Sequence, residues 1–89
     1  MQYERLGTSD LEVSRICLGC MTYGDPAWRP WILGEDRARG HFKRAFELGI
    51  NFFDTADMYS HGASERTTGK LLREMAPRDE YVLASKVFF

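Results

Sequence analysis

Gly49 to Glu65 read GINFFDTADMYSHGASE, and this stretch decides the fold. Gly49 sits where a helix stops, because glycine enters the left-handed conformation without a Cβ penalty. Residues 50–56 (INFFDTA) follow at once, short and aromatic, which predicts a strand. Tyr59 and His61 then fall in a loop, and Ser64 stands where it can cap a second helix with Glu65 in its first turn. A helix stop, a strand and a helix start within seventeen residues are the joint of a βα unit, with an acid, Asp54, inside an otherwise apolar strand.

Working toward the N-terminus, Ala38, Phe42, Ala45 and Phe46 recur at helical spacing over residues 35–48, with Glu35 and Asp36 in the first turn. Gly40 is a local conflict there, costing about 1 kcal/mol relative to alanine. The run ICLGCMTY, residues 16–23, reads as a strand buried on both faces, which parallel sheets require. Gly24-Asp25-Pro26 breaks it, and a loop carrying Trp28, Pro30 and Trp31 leads to Gly34. Residues 2–15 predict a β-hairpin reversing at Thr8-Ser9-Asp10, with Asp10 at positive φ.

Toward the C-terminus, Leu71, Leu72 and Met75 form the stripe of a helix from Ser64 to about Met75, which Pro77 ends. Residues 81–89 predict a third buried strand. The order is a hairpin followed by β-α-β-α-β, with connections long enough for right-handed parallel crossovers, so the class is α/β.

The chain has 89 residues, 44% of them hydrophobic, and a formal net charge of -1. No basic field attracts nucleic acid. The N-terminal residues MQYERLGTSD are charged and lead into no long apolar run, so neither a signal peptide nor a membrane span is expected and a cytoplasmic location follows. Two cysteines cannot build a disulfide framework. Oligomeric state is left open.

In parallel α/β sheets, reactive groups collect at the carboxyl ends of strands. That places Asp54, Tyr59, His61 and Lys86 at one edge. Strand parity groups Phe52, Asp54 and Ala56 on one strand, and Val82, Ala84 and Lys86 on the next. Asp54 and Lys86 are therefore expected to meet, since either charge alone on an apolar strand face costs several kcal/mol. Two readings stay open: a structural ion pair beside an ordinary loop tyrosine, or a pair whose ammonium favours phenolate and so prepares Tyr59 for proton transfer. Cys17 and Cys20 spell C-x-x-C, but they straddle a strand and should face opposite sides, unlike redox pairs at a helix N-terminus. With His41 on a helix away from them, no metal site is expected.

Three segments, LGTSDLEVSRICLG (6–19), GINFFDTADMYSHGASE (49–65) and ASKVF (84–88), closely resemble the amino-terminal third of the aldo-keto reductase family. The resemblance implies an incomplete (β/α)8 TIM barrel, residues 1–89 being its N-terminal fragment, with the hairpin closing one end. It implies NADP(H) held at the carboxyl ends of the strands, although no G-x-G-x-x-G is present. It implies reduction of an aldehyde or ketone to an alcohol, with Tyr59 as general acid, Lys86 as the cation that acidifies it and Asp54 holding Lys86. By the same resemblance, Gly19, Cys20, Met21 and Asp54 lie toward the cofactor, and Tyr23, Trp28 and Trp31 wall the substrate side. The family's catalytic histidine and later cofactor loops have no counterpart in these residues, so the fragment alone is expected to be inactive. Two alternatives accompany this reading: a nucleotide-sensing subunit on the same fold, like potassium-channel β subunits, and a free-standing redox module using Cys17 and Cys20.

Overall fold

The structure, a computed structural model, describes residues 1–87. Strands β1 (Tyr3–Arg5) and β2 (Glu12–Ser14) pair antiparallel as the expected hairpin. The reversal differs from expectation. Gly7 takes the positive φ of 60°, and Asp10 does not. Ser9 donates to the Leu6 carbonyl from both its N–H (3.1 Å) and its hydroxyl (2.6 Å), so the positive-φ position falls three residues earlier than expected, at Gly7, where glycine avoids the Cβ penalty. The hairpin is fastened by Asn51, which accepts from Ser14 N–H (2.7 Å) and donates to the Glu12 carbonyl (3.1 Å). The Tyr3 hydroxyl adds a bond to the Gly49 carbonyl (2.6 Å).

Three short strands, β3 (Leu18–Gly19), β4 (Phe52–Asp54) and β5 (Val82–Ala84), form a parallel sheet in the order β3-β4-β5. Leu18, Phe53 and Leu83 stand in register, as do Gly19, Asp54 and Ala84. Parity sends the first row toward two helices, α1 (Glu35–Glu47) and α2 (Ala63–Met75), and the second row to the opposite face. Phe42 of α1 stacks on Phe53 at 5.7 Å, and Leu71 and Leu72 of α2 are fully buried in the same core.

This one-sided packing corrects the reading of residues 16–23 as buried on both faces. Ile16 and Met21 are exposed, as are Cys17 and Gly19, and only Leu18, Cys20 and Tyr23 join the core. The last expected strand is also shorter: Tyr81 is buried, β5 spans three residues, and residues 88 and 89 of the expected 81–89 lie outside the described residues.

Both helices lie where their periodicity places them, but Ser64 does not cap α2. Gly62, at φ 96°, is the cap residue, and Ser64 is turned into the core. Its single hydroxyl proton goes to the Cys20 carbonyl (2.7 Å), so in its 2.7 Å bond with Thr55 the threonine hydroxyl is the donor. The two bonds tie the ends of β3 and β4 to the first turn of α2. On the outside, Arg39 bridges Glu35 (3.0 Å) and Glu74 (2.8 Å) while Lys70 reaches Glu35 (2.9 Å), linking α1 to α2. The Cβ missing at Gly40 would meet nothing within 4 Å, so no packing contact explains that glycine.

Candidate active site at the carboxyl edge of the sheet

After β4 the chain runs through Thr55 and Ala56 into a tight turn, Tyr59–Gly62. Ser60 (φ 51°, ψ 36°) and His61 (φ 51°, ψ 41°) are both left-handed, and Gly62 follows at φ 96°. Left-handed backbone costs a non-glycine residue on the order of 1–3 kcal/mol, and such strain gathers at functional sites. Here the turn buries the Ser60 side chain and leaves Tyr59 partly exposed. Space for it depends on Gly24, where a Cβ would lie 2.6 Å from the Ser60 hydroxyl and 3.2 Å from Ser64 N.

Lys86 reaches this turn from just beyond β5. The strand-like pairing continues past Ala84, with Thr55 N–H bonded to the Ala84 carbonyl (2.9 Å) and Asp57 N–H to the Lys86 carbonyl (3.2 Å). The Lys86 Nζ donates to Asp54 Oδ2 (2.9 Å), Asp54 Oδ1 (3.1 Å), the Thr55 carbonyl (2.9 Å) and the Tyr59 hydroxyl (3.3 Å). An ammonium carries three protons, so four acceptors share them. The hydrogen bond to Asp54, and then that to Tyr59, hold the Lys86 ammonium above its ordinary range. The group is half-exposed, so the pair is solvated rather than sealed in an apolar layer.

The remaining residues expected at the site divide. Gly19 and Met21 are exposed, and open space stands where the Gly19 Cβ would be. The Cys20 thiol is enclosed in the helix-side core, where burial pushes it up to about 12, so this side chain lies on the wrong side of the sheet to touch a ligand at Lys86. Cys17 is exposed on the other side, and burial also raises it. Neither thiol has the lowered affinity for its proton that a redox pair needs. Tyr23 is buried against Phe42, with its hydroxyl 3.1 Å from His41 Nδ1, and forms part of the core rather than a substrate wall. Trp31 is exposed. Trp28 alone of the three comes to the site, its ring 6.5 Å from that of Tyr59 and 6.1 Å from that of His61. Sequence reasoning missed the left-handed pair at Ser60 and His61, for which Gly62 was the nearest signal, and missed the Ser64–Thr55–Cys20 tie.

A profile of the Aldo/keto reductase family matches residues 15–88. The chain is 47% identical over 90 residues to a versiconal hemiacetal acetate reductase of Aspergillus parasiticus, covering all of this chain and 26% of that protein. It is 43% identical over 86 residues to a putative voltage-gated potassium channel subunit beta of Schizosaccharomyces pombe, covering 94% of this chain and 24% of that one. Among solved structures, an aldo-keto reductase from Bacillus halodurans in its holo form superposes with a TM-score of 0.79 at 42% identity, over 98% of this chain and 26% of that one. The chain belongs to the aldo-keto reductase family, a family of oxidoreductases that generally uses a nicotinamide cofactor. It spans about a quarter of the length of these relatives. Among the described residues, no helix is long and apolar enough to cross a membrane.

Proposed function

We propose that these residues form the proton-donating part of an NADP(H)-dependent reductase of aldehydes or ketones, within a (β/α)8 barrel of which residues 1–89 are the N-terminal fragment. The observation that carries the reading is the Lys86 ammonium bonded at once to Asp54 and to the Tyr59 hydroxyl. The exposed backbone at Gly19, with Met21 and Asp54 beside it on the open face, fits a flat nicotinamide ring, because no side chain fills the space at Gly19. When bound, that cofactor supplies hydride to the carbonyl carbon.

The chain's own residues manage the proton. Tyr59 gives its hydroxyl proton to the oxygen of the reduced carbonyl, Lys86 stabilises the phenolate left behind, and Asp54 keeps the Lys86 ammonium in place. Trp28 presents an apolar ring beside Tyr59, which suits the body of a carbonyl substrate better than water. Tyr59→Phe in the full-length protein removes the donor and little packing. Carbonyl-dependent NADPH oxidation is expected to fall by about 10²-fold or more while NADPH binding persists. Near-unchanged turnover would assign the acid elsewhere. The 89 residues alone, in which β3 and β5 are the outer strands of the sheet among the described residues, are expected not to turn over.

The likeness to a putative channel subunit favours a second reading, in which the same site senses nicotinamide nucleotide. Slow single-turnover oxidation of bound cofactor, with a membrane-channel partner recovered in a pulldown, supports that reading, whereas fast steady-state turnover supports the reductase.

A further inference from the structure

The four acceptors of the Lys86 ammonium are not equivalent. Three are side-chain atoms, the two Asp54 oxygens and the Tyr59 hydroxyl, and both Asp54 and Lys86 are partly open to water. The fourth, the Thr55 carbonyl at 2.9 Å, belongs to the main chain. It holds the ammonium only as firmly as the Thr55 residue is itself held.

Thr55 is anchored on two sides. Its N–H donates to the Ala84 carbonyl (2.9 Å) just across the sheet. Toward the helices its hydroxyl donates to Ser64 (2.7 Å), whose own proton goes to the Cys20 carbonyl (2.7 Å). The Cys20 N–H in turn donates to the Asp54 carbonyl (2.7 Å), which closes the circuit on the residue before Thr55. Thr55, Ser64 and Cys20 are all enclosed, so bulk water does not compete for these bonds as it does for the Asp54 carboxylate. The Tyr59 turn starts from the same point, since the Ala56 carbonyl accepts the Tyr59 N–H (3.4 Å). One buried chain of hydroxyls therefore fixes both the main-chain acceptor of Lys86 and the root of the loop that carries Tyr59.

We propose that Thr55 and Ser64 are positioning residues, whose buried hydroxyls set where the Lys86 ammonium stands relative to the Tyr59 hydroxyl. The placement of Lys86 stands on the hydrogen bonds alone. Its effect on turnover rests on the reductase reading above.

Thr55→Val keeps the shape of the side chain, removes its proton and leaves Ser64 bonded to Cys20, whereas Thr55→Ser keeps the proton and gives up a methyl group. In the full-length protein with NADPH and 4-nitrobenzaldehyde, Thr55→Val should lower kcat about tenfold with KM and NADPH binding held, and Thr55→Ser should recover most of the loss. Lys86 is read separately, by acetic anhydride labelling without nucleotide and mass spectrometry against the exposed Lys43. Labelling of Lys86 should be about fivefold faster in Thr55→Val and return toward the parent rate in Thr55→Ser, as expected when a hydrogen bond no longer restrains the amine. Thermal melts check that each variant is folded, and if Thr55→Val is not, Ser64→Ala carries the same expectations with Thr55 intact. Unchanged labelling of Lys86 overturns the proposal, as does faster labelling with kcat unchanged. A Thr55→Ser variant as impaired as Thr55→Val also overturns it, because packing of the methyl group would then be responsible. If labelling responds but the parent protein reduces nothing in a panel of aldehydes and ketones, the placement of Lys86 stands and the reductase reading fails. If the parent reduces them and neither measurement responds to Thr55→Val, the reductase reading stands and the positioning role fails.

Discussion

Lys86 closes on both carboxylate oxygens of Asp54, at 2.9 and 3.1 Å, although the two residues lie 32 positions apart and come from neighbouring strand ends. Half-exposed pairs of this kind contribute little to stability, on the order of 0–1 kcal/mol, so substituting either partner separates the role proposed for the pair at Tyr59 from a role in folding. Lys86→Met and Asp54→Asn in the full-length protein are each expected to cut carbonyl reduction by about 10²-fold with a small change in melting temperature. Parallel activity and thermal-melt measurements check this. A large loss of stability with intact turnover would make the pair structural.

Two glycines should respond to alanine in opposite directions. At Gly24 the new methyl would meet the Ser60 hydroxyl at 2.6 Å, its Cβ at 2.8 Å and a backbone nitrogen of α2, and Ser60 is already held in a left-handed conformation. Overpacking there is expected to cost about 1–3 kcal/mol and to disturb the Tyr59 turn. At Gly40, where open space surrounds the site, alanine should stabilise α1 by about 0.5–1 kcal/mol. Urea unfolding midpoints of the two variants decide both.

Thiol chemistry should separate the cysteines. Cys17 is exposed, whereas Cys20 is enclosed and its thiol is pushed up to about 12 by burial. Iodoacetamide at neutral pH is expected to modify Cys17 slowly, since burial raises that thiol too, and to spare Cys20 until the chain is unfolded. Mass spectrometry of the folded and denatured protein reads the difference, and rapid labelling of Cys20 in the folded state would contradict its place in the core.

Acid should loosen the contact between α1 and α2. Glu35 is held below its ordinary value of 4.5 by its hydrogen bond to Lys70 and then that to Arg39, and Glu74 is lowered by its bond to Arg39. Because the folded-state values are depressed, their stabilisation is fully present above 4.5 and is lost as pH falls below it through the folded values. Glu35→Gln is therefore expected to flatten the decline in unfolding midpoint on acidification while lowering stability slightly at neutral pH. Identical acid profiles for the two proteins would remove this network from the pH response.

Local spacing was enough to place α1, α2 and the three parallel strands in order. It was also enough to predict that Asp54 and Lys86 meet, because helix periodicity, glycine stops and strand parity act over a few residues at a time. The tertiary structure decided the rest. An apolar strand run does not say which side the helices cover, so Cys20 and Tyr23 turned out to be core while Gly19 and Met21 face outward. Ser64 was expected to cap a helix, yet it ties two strand ends together, since its hydroxyl is turned toward Thr55 and Cys20 instead of its own helix. The left-handed pair at Ser60 and His61 runs against the preference of both residue types, and it persists because Gly24 leaves room beneath it and α2 begins directly after it. No pattern within a short window carries such contacts. They exist only once β3, β4 and α2 converge at the carboxyl edge of the sheet.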